Sequence, residues 1–374
     1  MNVNNKGPLS GLRLLEFAGI GPVPFCGMLF ADLGADVLRI DRAGGREYDR
    51  YSVETRGRRS VILNLNDPGQ KAIALSLIAR AEALIEGFRP GVMERLGLGP
   101  DEALAQNSKL VYGRMTGWGQ TGPLAKAPGH DINYVALSGA LHALGTREKP
   151  AVPLNLIGDF GGGALYLAFG IMAALRNVST GGDGQVIDCA MSEGVISTMG
   201  MLYGKHAAGL WQDERESNII DGAAHFYNNY ECADGKWIAI GSIETPFYDA
   251  LLEALGLTDD PAFAEQMNEE LWPELIRRLR LIFKTRTRDE WCRRFEGTEV
   301  CYAPVLSLTE APDHAHNRAR GSFIEIDGVV QPVPLPRFSR TQAAVQGPPE
   351  QAGASGHEAL RDWGIGEAEI AALS

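Results

Sequence analysis

The first third of the chain alternates short apolar runs with segments of helical spacing. Leu12–Ala18 and Ala35–Asp41 have the pattern of buried strands, and Pro24–Leu33 between them has that of a short helix opened by proline. Pro68–Glu82 then carries apolar residues at helical spacing, and Ala83–Phe88 follows as another buried strand. This rhythm predicts right-handed βαβ units, and therefore an α/β fold with a parallel sheet.

The middle of the chain adds one more strand and an unusually apolar helix. Lys109–Thr116 has the strand pattern, and Gly161–Leu175 that of a helix which is apolar nearly all round. A helix without a polar face belongs in a protein core, so this helix is predicted to be buried.

After about Gly222 the pattern changes to hairpins and amphipathic helices. Phe226–Cys232 and Lys236–Ser242 flank a turn signal (ADG), and Asp327-Gly328 marks a second hairpin between FIEI and VVQPVP. The helices predicted between the hairpins are Pro246–Leu255, Trp272–Phe283 and Arg288–Phe295. This mixture predicts a smaller α+β domain, and 374 residues suit two core units better than one.

Composition narrows the range of partners. A formal net charge of -12 argues against a nucleic-acid binder, which needs a basic surface, and against docking on anionic membranes. No run approaches the roughly 18 consecutive apolar residues that a membrane span needs, and the N-terminus lacks the apolar core of a secretory signal. The cysteines are scattered, without metal-ligand spacing, which predicts reduced thiols, no metal site and a cytoplasmic protein.

A turn of glycine and proline, GIGPVP at residues 19–24, follows the first predicted strand. A dinucleotide fingerprint needs a third glycine where Pro24 stands, so nicotinamide binding is disfavoured. The motif is better explained as a tight turn into a helix, whose N-terminus could still hold an anion.

Arginines are concentrated between positions 39 and 59, where seven of them accompany four acidic residues. Guanidinium groups bind phosphate oxygens in pairs, so the cluster favours a polyphosphate ligand, although each arginine alone is better explained as part of a self-paired surface. The cluster consists of Arg39, Arg42, Arg46, Arg50, Arg56, Arg58 and Arg59, and it is followed by Arg89 and Arg95.

Two candidate proton-transfer residues lie at the starts of predicted helices. His130 stands beside Asp131, and Asp159 stands just before the glycine run Gly161–Gly163. Histidine exchanges protons near neutral pH, a desolvated carboxylate has a tuned basicity, and glycine N–H groups could hold an oxyanion. Taken alone, His130 is better explained by capping; Asp159 would also cap its helix, but the glycine run favours function. Glu244 alone is explained as an acid that complements a helix dipole.

Together these segments resemble the family III CoA-transferase superfamily (the CaiB/BaiF-like proteins), and within it the α-methylacyl-CoA racemases. The likeness covers nearly the whole chain and is carried by GPLSGLRLLEFAGIGP, DLGADVLRIDR, EGFRPGVMERLGLGP, GHDINYVALSG, PLNLIGDFGGG and YECADGKWIAIGSIE. It implies a Rossmann-like large domain built from residues 1–200 and a return segment at 321–374, with a small α+β domain at 225–320. It also implies a homodimer of interlocked subunits, with each active site between the large domain of one subunit and the small domain of the other.

The resemblance also implies roles for individual residues. Transferases use the aspartate matching Asp159 as a nucleophile, whereas racemases use it as a base, with a histidine matching His130 on the opposite face. A glutamate matching Glu244 partners that histidine. The remaining implied site residues are Asp131 and Asn155, which position the site, and Arg42, Arg89 and Arg95, which contact the nucleotide and phosphates of coenzyme A. Backbone N–H groups from Asp159 to Gly163, that of Gly161 among them, are expected to hold the enolate oxygen.

The implied activity is therefore that of an isomerase in fatty acid and lipid metabolism. It would interconvert (2R)- and (2S)-2-methylacyl-CoA thioesters by 1,1-proton transfer through an enolate, without a metal or other cofactor, because coenzyme A is part of the substrate. The alternatives are a family III CoA-transferase that works through covalent Asp159 intermediates and a non-catalytic acyl-CoA binder. The acyl chain is not specified by the sequence.

Overall fold

The structure is a computed structural model that describes residues 7–45 and 49–373. Its strands are β1 (Arg13–Phe17), β2 (Asp36–Asp41), β3 (Arg59–Ile62), β4 (Ala83–Glu86), β5 (Val111–Thr116), β6 (Gln185–Ala190), β7 (Tyr227–Glu231), β8 (Trp237–Gly241), β9 (Tyr302–Val305), β10 (Phe323–Ile326) and β11 (Val329–Pro332).

The helices cover most of the remaining chain. They are α1 (Pro22–Asp32), α2 (Pro68–Ile78), α3 (Val92–Leu96), α4 (Pro100–Gln106), α5 (Asp131–Leu137), α6 (Ala140–Ala143), α7 (Leu165–Ser179), α8 (Met191–Thr198), α9 (Gly200–Ala207), α10 (Thr245–Leu255), α11 (Trp272–Phe283), α12 (Arg288–Phe295), α13 (Ala315–Arg320), α14 (Gly356–Asp362) and α15 (Glu367–Ala371). Leu156–Ala164 forms a π-helix that runs directly into α7, and short 3₁₀ turns lie at Val53–Thr55 and Pro261–Phe263.

A parallel sheet of six strands forms the centre of the larger unit. Its order is β3-β2-β1-β4-β5-β6, which is the order of a doubly wound dinucleotide-binding sheet. The predicted α/β class is thereby confirmed. Because the order reverses between β1 and β4, the loops after these two strands open a crevice at the carboxyl ends of the strands.

The sequence identified the central strands but missed the two edges. β1, β2, β4 and β5 lie within the predicted runs, while β3 and β6 were not predicted. An edge strand has one open side and a weaker apolar pattern, and the first residues of β6 are exposed. Both predicted hairpins are confirmed, since β7 pairs with β8 and β10 with β11, each antiparallel.

The chain divides into two compact units. Within the described residues, the first comprises Met1–Ser138, Pro153–Thr198 and Ala319–Ser374, and the second comprises Gly139–Val152 and Met199–Arg318. Both ends of the chain thus contribute to the first unit.

Each unit has its own apolar core. In the first unit, alternate residues of β1 serve opposite faces of the sheet: Leu15 and Phe17 pack on the side of Trp363, and Leu14 packs on the side of Ile171. The core of the second unit lies between the β7-β8-β9 sheet and the helices α10, α11 and α12.

The apolar helix is not buried as predicted. Leu167, Ile171 and Ala174 of α7 face the core, but Phe169 is 75% exposed and Leu165 is 51% exposed. The apolar pattern is real, yet one face of the helix has no partner within the described chain. By length and composition alone, residues 156–179 would also suffice to cross a membrane, a criterion that core helices of soluble proteins meet as well.

Most of the clustered arginines lie inside the first unit rather than on a phosphate-binding surface. Arg58 and Glu16 form a fully buried ion pair, with Nη1 and Oε2 2.6 Å apart. Arg56 is equally enclosed and pairs with Asp32. Arg59 pairs with Asp36 and Asp362, and Arg39 pairs with Asp41. These four are therefore not free phosphate ligands, because each is already held in an ion pair with an acidic side chain. Arg46 lies outside the described residues.

Close packing of α8 on the π-helix predicts a sharp stability effect. A Cβ on Gly194 would lie 1.8 Å from the carbonyl oxygen of Gly162, whereas a Cβ on Gly204 in α9 would meet nothing within 4 Å. We expect Gly194→Ala to lower the free energy of unfolding by about 3 kcal/mol, because the helices would have to separate. Gly204→Ala, the matched control, should raise it by at most about 1 kcal/mol through helix propensity. Equal urea denaturation midpoints for the two variants would contradict this packing.

Candidate active site

A cavity of about 760 Å³ lies at the carboxyl ends of β1, β2 and β3. The strand ends contribute Phe17, Ile40 and Leu63, and the return segment contributes Pro349 and Glu350. Ligands of doubly wound sheets bind outside the carboxyl ends of the strands, next to the reversal of strand order. This cavity therefore has the position expected of a cofactor-sized ligand site.

Three arginines remain available near this end of the sheet. Arg42 lines the cavity, and Arg89 and Arg95 follow β4; all three side chains are exposed. Within the described parts of the chain, residues 7–45 and 49–373, none of the three arginines forms an ion pair. They differ in this respect from the internally paired arginines and could bind an anionic ligand.

Asp159 is carried by the π-helix, three residues after its first residue. Its backbone N–H donates to Oδ2 of Asp131 over 2.6 Å. A Cβ on Gly158 would lie 2.5 Å from the same oxygen, so glycine is required for this approach. Asp131 is buried at the first position of α5, and its carboxylate thereby joins α5 to the π-helix.

The pKa of the Asp159 carboxyl is raised to about 6, chiefly by burial and also by the neighbouring charge of Asp131. A hydrogen bond from the Asn155 side chain and the charge of His130 act in the opposite direction. Burial also raises the pKa of Asp131, against the two N–H groups that it accepts. A carboxyl group that titrates near neutral pH suits proton transfer.

His130 occupies the N-cap position of α5, as the capping interpretation expected. The backbone N–H of His130 donates to Oδ1 of Asn133 over 3.0 Å, and the imidazole of His130 is exposed. The structure thus brings His130, Asp131, Asn155 and Asp159 into one region of the first unit, where the charge of His130 acts to lower the pKa of Asp159.

The glycine run after Asp159 does not form the expected oxyanion site. The N–H of Asp159 is occupied by Asp131, and that of Phe160 donates to the carbonyl of Asn155 over 3.3 Å. Gly161 to Gly163 lie within the π-helix, where N–H groups donate to carbonyls five residues earlier. The helix begins at Leu156, before Asp159, and Gly162 and Gly163 instead permit close packing on Val195, Met191 and Met115.

Glu244 belongs to the second compact unit, whereas His130 belongs to the first. It occupies the N-cap position of α10, where its carbonyl oxygen accepts the N–H groups of Phe247 and Tyr248. Its side chain makes no capping hydrogen bond and is exposed.

Two aromatic features beside Asp159 were not predicted from the sequence. Phe25 of α1 stacks on Phe160, with ring centroids 4.3 Å apart. Tyr134 donates its hydroxyl hydrogen to the carbonyl of Gly129 over 2.5 Å, and its pKa is raised by burial and by the charge of Asp159, against the charge of Arg89. The only trace of Tyr134's position in the sequence is glycine at positions 117 and 129, where a Cβ would collide with the Tyr134 ring.

In the part of the chain that the structure describes, no three His, Cys, Asp or Glu side chains come together as metal ligands would.

Comparisons with known proteins agree with the fold. Solved structures that match include Rv3272 from M. tuberculosis, with a TM-score of 0.81, 26% identity, and 96% of this chain and 99% of that chain covered. A CaiB/BaiF family protein from Brucella suis has the same TM-score at 22% identity, with 96% of this chain and 100% of that chain covered.

Curated relatives are similar along nearly the whole chain. α-Methylacyl-CoA racemase of Mus musculus is 43% identical over 369 residues, covering 98% of this chain and 96% of that protein. The protein of the same name from Homo sapiens is 43% identical, covering 90% and 87%. The succinyl-CoA–L-malate CoA-transferase β subunit of Chloroflexus aurantiacus is 29% identical, covering 95% and 94%. The model of the CoA-transferase family III matches residues 9–355. The chain therefore belongs to CoA-transferase family III.

Proposed function

We propose that this protein is an α-methylacyl-CoA racemase, an isomerase that interconverts (2R)- and (2S)-2-methylacyl-CoA thioesters. The observation that carries the proposal is the placement of the Asp159 carboxyl group in one region with Asp131, Asn155 and His130, where burial raises its pKa to about 6. The names of the mouse and human relatives support the same activity.

The reaction needs two proton-transfer groups. One group removes the weakly acidic proton from C2, and the electron pair of the broken C–H bond passes into the thioester carbonyl to give an enolate. The other group returns a proton to the opposite face of C2, so that the C–H bond re-forms with inverted configuration. Asp159 and His130 serve the two faces, Asp131 and Asn155 hold Asp159 in place, and Glu244 partners the imidazole.

Coenzyme A enters as part of the substrate. Arg42, Arg89 and Arg95 bind its nucleotide and phosphates, a role that is supported by their exposure and by the absence of an ion-pair partner for them among the described residues. Proton transfer changes no oxidation state, so the proposed reaction needs no redox cofactor, and the proposal assigns both proton transfers to protein side chains without a metal.

The active unit is a homodimer of interlocked subunits, in which the small domain of one subunit completes the site on the large domain of the other. The exposed apolar face of α7 supports this proposal. Leu165, Phe169 and Met172 are 51%, 75% and 40% exposed, and monomeric soluble proteins rarely leave such contiguous apolar surface uncovered. The protein works in fatty acid metabolism in the cytoplasm, where its unpaired cysteines would stay reduced.

Two alternatives remain for experiment. A CoA-transferase would use the Asp159 carboxylate to attack the thioester, and relatives with that activity in their names are 29% to 31% identical to this chain. A non-catalytic acyl-CoA binder would need neither His130 nor Asp159.

Incubation of purified protein with (2S)-2-methylacyl-CoA in D₂O tests the proposal. We expect the two epimers to approach equal amounts with deuterium at C2, as followed by NMR, because the enolate is reprotonated from groups that exchange with solvent. No second carboxylic acid is required. Transfer of coenzyme A to added succinate without deuterium at C2 would establish the transferase, and neither reaction would favour the binder.

The raised pKa of Asp159 provides a second test. In protein labelled with ¹³C at aspartate carboxyl groups, the signal missing from Asp159→Asn should titrate near pH 6, against about 4 for an ordinary aspartate. Asp131→Asn should move this titration to lower pH, because a neighbouring negative charge is removed. Asp101→Asn, on the exposed side of α4, is the matched control and should leave it unchanged. An ordinary titration in the unmodified protein would contradict the account of the site.

A further inference from the structure

The turn before α1 lies between the cavity and the Asp159 carboxyl group. Gly19, Ile20 and Pro24 line the cavity. Gly21, between them, is adjacent to Asp159 instead: a Cβ at this position would lie 3.0 Å from Oδ2 and 3.5 Å from Cγ of Asp159. Apart from Gly21 itself and the adjoining backbone, no other described atom lies within 4 Å of that Cβ position. The carboxyl group therefore rests directly against the bare backbone of Gly21.

Two independent constraints require glycine here. The backbone of Gly21 has φ 67° and ψ -118°, a conformation that residues with a Cβ rarely adopt. A side chain would also occupy the space of the carboxyl oxygen. Gly19, two residues earlier, has no such constraint, since its Cβ would meet Val23 at 3.8 Å and the carbonyl oxygen of Phe17 at 3.9 Å, both ordinary distances.

The first turn of α1, which directly follows Gly21, is apolar and closely packed. Pro22 and Pro24 lack the N–H groups that a helix N-terminus normally offers to a carboxylate. Val23 is buried, and Phe25 stacks on Phe160, the residue after Asp159. The first turn of α1 therefore limits the movement of the carboxyl group and offers its charge little stabilisation.

The other neighbours of Asp159 are polar or ionisable. Asp131 and His130 at the start of α5 affect its charge, Tyr134 of α5 interacts with it electrostatically, and Asn155 donates a hydrogen bond. The first turn of α1 carries no ionisable side chain. Gly21 therefore affects the carboxyl group only by the room that it leaves, and not by a charge of its own.

We propose that Gly21 is a positioning residue for proton transfer by Asp159, because its bare backbone fixes how far the carboxyl group withdraws from water and where it points. The inference rests on the proposed racemase function for the meaning of that proton transfer, and on the geometry for the contact itself. The absence of a side chain at position 21 determines where the Asp159 carboxyl group lies, while Gly19, Ile20 and Pro24 of the same turn line the cavity.

The test compares Gly21→Ala with a matched control at another glycine of positive φ. Gly122→Ala places alanine at φ 91° where a Cβ would meet nothing within 4 Å. For Gly21→Ala we expect kcat to fall about ten- to a hundred-fold with little change in KM, since a displacement of about 1 Å can cost that much. Gly122→Ala should stay within about two-fold of the unmodified protein.

Exchange with D₂O separates positioning from general damage. Asp159→Asn identifies the epimer whose C2 exchange depends on this carboxyl group. Gly21→Ala should slow exchange of that epimer and leave exchange of the other, which depends on His130, close to that of the unmodified protein. Equal slowing of both epimers would overturn the proposal.

The ¹³C titration of Asp159 without substrate keeps the inference separate from the proposed function. Gly21→Ala should shift it to lower pH, because the displaced carboxyl group gains water, and this result would support the contact even if no epimerisation were found. An unchanged titration would overturn the contact.

A folding test applies if Gly21→Ala does not fold. The double variant Gly21→Ala/Asp159→Ala should then fold, because the colliding carboxyl group is gone. Failure of the double variant to fold, while Gly122→Ala folds, would also overturn the contact.

Discussion

The site depends on the hydrogen bond between the Asp131 carboxylate and the N–H of Asp159. This bond spans 2.6 Å and joins the start of α5 to the π-helix. It places a second carboxyl group beside Asp159, and burial and this neighbour together raise the pKa of Asp159 to about 6. A single contact thus fixes the position of one proton-transfer group and brings its proton affinity near neutral pH.

The surrounding structure supports this arrangement through close packing. Glycine at position 158 lets the Asp131 carboxylate approach, and glycine at 194 lets α8 lie against the π-helix. Gly21 receives the carboxyl group of Asp159 on the other side. Gly21 therefore leaves room for the Asp159 carboxyl group, Gly158 and Gly194 allow the close packing around the π-helix, and the charged residues come from α5 and its N-cap. The buried Arg58–Glu16 and Arg56–Asp32 pairs hold the segment that follows Ser52 and Thr55, two residues of the cavity lining, against the first unit.

The sequence predicted features that depend on local pattern. Buried runs revealed β1, β2, β4 and β5, and turn residues revealed both hairpins. It could not show that Glu16, Asp32 and Asp36 meet arginines many residues later, so the arginine cluster suggested a phosphate surface that is largely internal. The apolar face of α7 looked like core because periodicity does not distinguish a core from an uncovered interface. His130 and Asp159 were identified by resemblance, whereas the approach of Gly21 to Asp159 depends on tertiary folding that spacing does not encode.

The central claim is that His130 and Asp159 act on opposite faces of the same carbon. Hydrogen exchange at C2 of each pure epimer, in D₂O with His130→Asn and with Asp159→Asn, tests it most directly. The account predicts complementary behaviour: each variant loses epimerisation by about a hundred-fold or more, yet exchanges one epimer with retention, and the two variants exchange different epimers. Exchange of the same epimer by both variants, or undiminished epimerisation by either, would contradict the account.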